Sequence, residues 1–324
     1  MSDTKYTYAV AQIRAMELGL LNQGDIDQLI GCKTDVQCLQ MLQEKGWGGS
    51  DIPLDAEAML ACERQKAWCA VRDLVKEDPA VLDVLSLPDQ FHNLKAAVKQ
   101  VCTGQHCEEM FIPDCAIDGA DMVEWLSRKE YDAFPANMRA AAQEAYETLL
   151  HTGDGQLCDV IVDRAALEAI WAAGQAASDE MIRDYAESTV AIANIRIAAR
   201  CLKTGKSREF MLRAMAPCGA FTPEAMATAV LGGMQSFCEF LTGVGYGEAG
   251  QALQQSASGF ECWCDNRMMD TIEPQKRNPF TVGPLVAYLL GRENEIKTVR
   301  IILTGKRNSL PEEQIRERVR KMYG

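Results

Sequence analysis

Histidine is scarce in this chain, with three residues in 324, His92, His106 and His151, scattered along its length. A nucleophile that needs an imidazole base therefore has little to draw on, and no G-x-S-x-G elbow marks an acyl-transfer site. Thirteen cysteines are present, yet they form no paired C-x-x-C clusters, and no H-E-x-x-H helix exists. Cys262 and Cys264 have one residue between them and Cys62 and Cys69 lie seven apart, spacings that do not assemble a zinc site. The glycines of GVGYGEAG, Gly243 to Gly250, lack the preceding strand and the Lys-Ser/Thr of a phosphate loop. Both Thr-Gly-Lys segments are read as helix C-termini, where the helix dipole repels phosphate. No catalytic residue, cofactor, metal or small-molecule substrate is assigned.

Positive charge is also short. The net charge is -13, and no basic tract with interleaved aromatics appears, so nucleic acid and anionic bilayer surfaces are excluded as partners and a cationic protein surface fits better. Apolar runs are too short or too charged to span a bilayer. The opening MSDTKYTYAV has neither the leader charges nor the apolar centre of a signal peptide. A cytosolic location with reduced, mostly buried thiols is expected.

Strict apolar-polar alternation bounded by turn dipeptides is missing too, which leaves helical periodicity throughout and an all-α fold. What the chain does contain is an internal repeat with a period of about 100 residues. The copies are NLKAAVKQVCTG from Asn93, NIRIAARCLKTGK from Asn194 and NEIKTVRIILTGK from Asn294, each read as a helix with one apolar face ended by Thr-Gly. A tryptophan, Trp68, Trp171 or Trp263, precedes each copy by roughly 25 residues, and Trp68 and Trp171 are expected in equivalent buried places. After two copies come proline-cysteine segments, FIPDCAIDGADM from Phe111 and MAPCGAFTPEAM from Met215. Three helical bundles result, assigned to residues 60–160, 161–255 and 256–324, with 1–59 as an N-terminal piece packing near the C-terminal segment and the whole forming one rigid body.

Local signals fill in the elements. Thr34 with Gln37, Ser309 with Glu312, and Thr222 before Pro223 read as helix caps. The last helix is expected from about Pro311 to Tyr323, with Ile315, Val319 and Met322 facing inward and i,i+4 pairs at Glu312/Arg316, Glu313/Glu317 and Glu317/Lys321. Cys62 and Cys69, with Ala61 and Trp68, read as one core-facing stripe, and the Gly243–Gly250 segment as the most flexible loop. On the residues alone, the function is that of a helical repeat scaffold binding another protein.

The run NPFTVGPLVAYLLGRENEIKTVRIILTGKRNSLPEEQIRERV, Asn278 to Val319, resembles the closing segment of the V-type (A-type) ATPase C-subunit family, whose eukaryotic members are known as the d subunit. Gly283, Pro284, Ala287, Tyr288, Glu293, Glu295, Arg300, Gly305 and Lys306 carry that likeness. Tyr8, Ala11, Arg14, Leu20, Leu21 and Leu29 extend it to the N-terminus, and Asn194 with Arg200 to the middle. The acidic residue the family places three before the middle asparagine is Ala191 here, and Gln90 before Asn93. The resemblance implies a pseudo-three-fold, funnel-shaped body without a catalytic site. It would couple the central-axle subunits of the soluble ATPase head to the membrane proteolipid ring, on the cytoplasmic side and peripheral to the membrane, for ATP-driven ion transport. Arg14, Leu21, Asn194, Arg200, Tyr288, Glu295, Arg300 and Lys306 are its signature residues, structural or interfacial in role.

Overall fold

The computed structural model describes residues 5–49, 52–76, 79–105 and 110–324, and every regular element among them is helical. The chain divides into two compact units. The first draws on residues 1–81, 178–185 and 246–324. Its helices are α1 (Thr7–Glu17), α2 (Gln23–Gly31), α3 (Asp35–Glu44) and α4 (Ala56–Leu74), joined by α13 (Gly247–Gln255), α14 (Ala257–Ile272), α15 (Gly283–Arg307) and α16 (Glu312–Arg316). The second contains α5 (Asp83–Thr103), α6 (Gly119–Arg128), α7 (Ala136–Thr152), α8 (Gly155–Ala176) and most of α9 (Glu180–Thr204). It continues through α10 (Arg208–Ala214), α11 (Pro223–Leu231) and α12 (Gly233–Gly243).

In the first unit α15 is the central element. Seventeen of its residues are buried, among them the polar Arg292, Asn294, Glu295 and Thr298, and α1, α3, α4 and α14 pack on it. Leu21, just ahead of α2, and Ile26, Leu29, Ile30, Leu39 and Leu42 of α2 and α3 share one apolar cluster with Ile296, Val299, Ile302 and Leu303 of α15. Removing such side chains from water, at about 25 cal/mol per Å² of apolar surface, is the main force holding α2 and α3 there. In the second unit α5 packs against α6, α7 and α8, α7 lies along α8, and α10 joins α8 to α11.

Two of the three expected caps form. Thr34 accepts from Gln37 N–H at 3.2 Å, and Thr222, ahead of Pro223 in the first turn, accepts from Ala225 N–H at 3.2 Å. Ser309 does not cap α16. It sits in the left-handed region at φ 53°, and Pro311 occupies the cap position without a side-chain bond. The repeat asparagines lie inside long helices, and the first two copies stop as expected at left-handed glycines, Gly104 (φ 68°) and Gly205 (φ 62°). Gly305 is different: α15 runs through it to Arg307. A Cβ there would come within 2.8 Å of Ile315 Cγ1, so the glycine serves close approach of α16.

Five further expectations change. The last helix ends at Arg316 rather than Tyr323, and its i,i+4 pairing gives way to long-range partners. Arg316 pairs with Asp27 of α2 and Lys321 with Asp270 of α14. Ile315 and Met322 are nonetheless buried, and Val319 partly so. The Gly243–Gly250 segment is mostly helix, because α12 and α13 leave only residues 244–246 between them. Trp68 is buried at 8% exposure whereas Trp171 is half-buried, so the two places are not equivalent. The Cys62–Cys69 stripe does not face the core: Cys69 and Ala61 are exposed, and α4 turns Met59, Leu60, Glu63, Ala67 and Val71 inward instead. Twelve cysteines are described and none forms a disulfide, but four of them, Cys38, Cys158, Cys201 and Cys264, are fully buried, fewer than expected.

Candidate functional site

The densest polar constellation lies where α4 crosses α15. Arg292 and Glu295 are three apart on α15, one helical turn, and share a face with each other. Glu63 comes in from α4, and the three side chains are 8%, 1% and 5% exposed. The Arg292 guanidinium donates to both carboxylates and stacks 5.0 Å over the Trp47 ring. Each carboxylate has further donors. Glu63 accepts from Gly48 N–H at 2.8 Å and from the Lys66 ammonium at 2.7 Å, and Glu295 accepts from Leu21 N–H.

Two carboxylates share one buried guanidinium, with Lys66 reaching in from the surface. Desolvation raises the Glu295 carboxyl to about 7, against the pull of Arg292 and Leu21 N–H, and Glu63 nearby adds to the rise. A buried charge without partners is costly, so the cluster holds only while α4, α15 and the segments carrying Leu21 and Gly48 stay in register. Beside it Glu293 accepts from Arg64 Nε at 2.7 Å and Trp68 Nε1 at 2.9 Å.

Three of the eight signature residues, Leu21, Tyr288 and Glu295, lie at or beside this centre. Leu21 and Glu295 are hydrogen-bonded to one another, and Tyr288 is buried one turn before Arg292 on α15, where desolvation raises its hydroxyl. Arg14 of α1 pairs with Glu17 and donates to the carbonyls of Gln275 (2.6 Å) and Asn278 (3.0 Å), ahead of α15. Lys306 donates to the Ile30 carbonyl in the last turn of α2, and Arg300 pairs with Glu57 of α4 at 3.0 Å. Five of the eight thus join α15 or the turn before it to α1, α2, α4 or Leu21, and Tyr288 is buried on α15 itself. Asn194 lies in the second unit with exposed Arg200 two turns along the same helix. Glu63 carries no signal in the sequence, because a charged residue in a helical run is ordinarily solvated.

Asn194 belongs to a second pattern, which follows the repeat. Its amide donates to the Ala216 carbonyl at 2.7 Å and accepts from Ala216 N–H at 3.1 Å. Asn93 does the same to Ile112, at 2.9 and 2.8 Å. Both clamped residues precede a proline, Pro217 and Pro113, which biases them to extended backbone and leaves N–H and C=O free for a side-chain amide. Asn294 completes half of the motif. It donates to the Lys321 carbonyl at 2.9 Å, but Lys321 N–H goes to Asn266, and the Asn294 carbonyl oxygen has no partner. Glu187 adds to the Asn194 clamp by accepting from Gly219 and Ala220 N–H.

These arrangements tie backbone segments together with buried hydrogen bonds; they bring no nucleophile, base and orienting group into one place. Among the described residues no cluster of three metal-ligating side chains occurs, and no helix is long and apolar enough to cross a membrane. The class so defined is an all-helical protein whose buried polar side chains tie its own backbone segments together. The chain matches the family described as ATP synthase (C/AC39) subunit over residues 9–318, and it belongs to that family. It is 25% identical over 318 residues to the C subunit of the V-type sodium ATPase of Enterococcus hirae, covering 96% of this chain and 97% of that one. It is 20% identical to the C subunit of the A-type ATP synthase of Methanocaldococcus jannaschii, over 96% of this chain and 85% of the relative. With the C subunit of the V-type ATP synthase of Thermus thermophilus the identity is 22%, over 97% of this chain and 98% of the relative. The chain is accordingly a non-catalytic accessory subunit of a V/A-type ATPase.

Proposed function

We propose that this protein is the central-stalk adaptor of a rotary V/A-type ATPase, seated on the cytoplasmic side between the axle of the soluble head and the membrane proteolipid ring. The observation that carries the reading is the family match from residue 9 to residue 318, with relatives covered almost end to end. An adaptor that transmits torque has to resist shear, and helices locked by buried side-chain bonds do so better than modules on flexible linkers. The Glu63–Arg292–Glu295 cluster and the asparagine clamps supply such locks. In this reading the signature residues Arg14, Leu21, Tyr288, Glu295, Arg300 and Lys306 keep the body stiff, and Asn194 does the same in its own unit. The paired clamps of Asn93 and Asn194, with the half-clamp of Asn294, support three related helical repeats along the chain.

The test is reconstitution of the ATPase into proteoliposomes with and without this chain. Hydrolysis by the soluble head continues in both, while ATP-driven ion uptake is lost when the chain is left out. Ion uptake at the full rate without it would end the adaptor reading.

A further inference from the structure

Cys32 and Cys38 meet at the corner between α2 and α3. Cys32 is the residue that closes α2, half-buried, and its thiol donates to the Gln28 carbonyl at 3.5 Å. Cys38 lies in the first turn of α3, fully buried, and its thiol donates to the next carbonyl along, that of Leu29, at 3.3 Å. Both sulfurs thus rest on neighbouring carbonyls of the same final turn of α2. The Lys306 ammonium sits beside them on the Ile30 carbonyl.

From this juxtaposition we infer that Cys32 and Cys38 form a reversible oxidation site, closed to an intramolecular disulfide by a low-molecular-weight disulfide of the glutathione type. Exposure sets the order of events. The oxidant reaches only Cys32, and burial pushes the Cys38 thiol up to about 12, so Cys38 is the resolving partner. The Cys32 thiolate attacks one sulfur of glutathione disulfide, forming a mixed disulfide and expelling one glutathione thiolate. Cys38 then gives up its proton and attacks the Cys32 sulfur, and the second glutathione thiolate leaves. Two protein thiols are oxidised, one glutathione disulfide is reduced to two glutathione thiols, and the two protons end on those thiols. The bridge ties the end of α2 to the start of α3, next to the contact through which α15 holds α2.

Lys33 lies between the two cysteines, which makes the product readable. The full-length chain is incubated with glutathione disulfide, remaining thiols are blocked with N-ethylmaleimide under acid quench, and the denatured chain is cut with trypsin without reduction. A Cys32–Cys38 bridge joins the peptides of residues 15–33 and 34–45 into one species, which separates on adding dithiothreitol and is absent from Cys32→Ser. In Cys38→Ala the glutathione remains on Cys32, which tests the order of attack even if one variant folds poorly. Persistent glutathione on Cys32 of the wild-type chain with maleimide on Cys38, or Cys32 joined to any other cysteine, overturns the proposal.

Discussion

The helices α5 and α15 contain equivalent copies of the repeat, yet only α15 also buries charge. On α5, Lys95 and Lys99 reach Asp163 and Asp159 of α8 at 2.6 and 2.7 Å, with side chains between 24% and 56% exposed. On α15, Arg292 and Glu295 meet Glu63 with every side chain at 8% exposure or less. Water solvates either partner of an exposed pair when the other is absent, so those pairs contribute little. No such rescue exists for the buried set. The repeat keeps its helix, its asparagine and its outward cations, Lys297 and Arg300 pairing with Asp265 and Glu57, while packing against α4 buries Arg292, just ahead of the copy, together with Glu295.

The strongest way to break this contrast is to remove the shared cation. Arg292→Met, close to arginine's stem in size, leaves Glu63 and Glu295 buried without their common partner, and a loss of about 3–5 kcal/mol is expected in urea unfolding at pH 8. A variant as stable as the parent would show that the cluster is not desolvated.

Proton linkage gives a sharper and somewhat smaller signal. The Glu295 carboxyl titrates near 7 when folded against an ordinary value of 4.5. Between those values the folded chain keeps a proton that the unfolded chain has released, so stability falls as pH rises through the window. Glu295→Gln stays neutral and still accepts from Leu21 N–H. The stability of the parent relative to this variant should therefore decline by on the order of 3 kcal/mol from pH 4.5 to 8. Equal pH profiles for the two would place the proton elsewhere.

The smallest effect is expected on the other side of the comparison. Lys95→Ala, which breaks the pair with Asp163, should cost about 0.2–1 kcal/mol, and less in high salt. A loss matching that of Arg292→Met would remove the distinction between the two helices.

Elements governed by neighbours in sequence were legible in advance. Thr34 and Thr222 cap because a hydroxyl and the amide three residues later are adjacent whatever the tertiary fold, and Gly104 and Gly205 stop helices for equally local reasons. Gly305 and Ser309 misled because Ile315 packs on the first and the second takes the left-handed turn itself. The buried cluster was only half visible. Glu295 stood out through the family resemblance, but its burial depends on Leu21, 274 residues away, and that of Arg292 on Glu63, 229 residues away. No pattern within a single helix encodes either distance.

The Leu21–Glu295 bond also sets a timetable for biogenesis. At about 5–20 residues per second, a ribosome needs roughly 15–55 s to travel the intervening chain. Through that interval Leu21, Ile26, Leu29 and Ile30 have no α15 to cover them. Their apolar faces stay open to wrong partners, and closure of the first unit waits on α15.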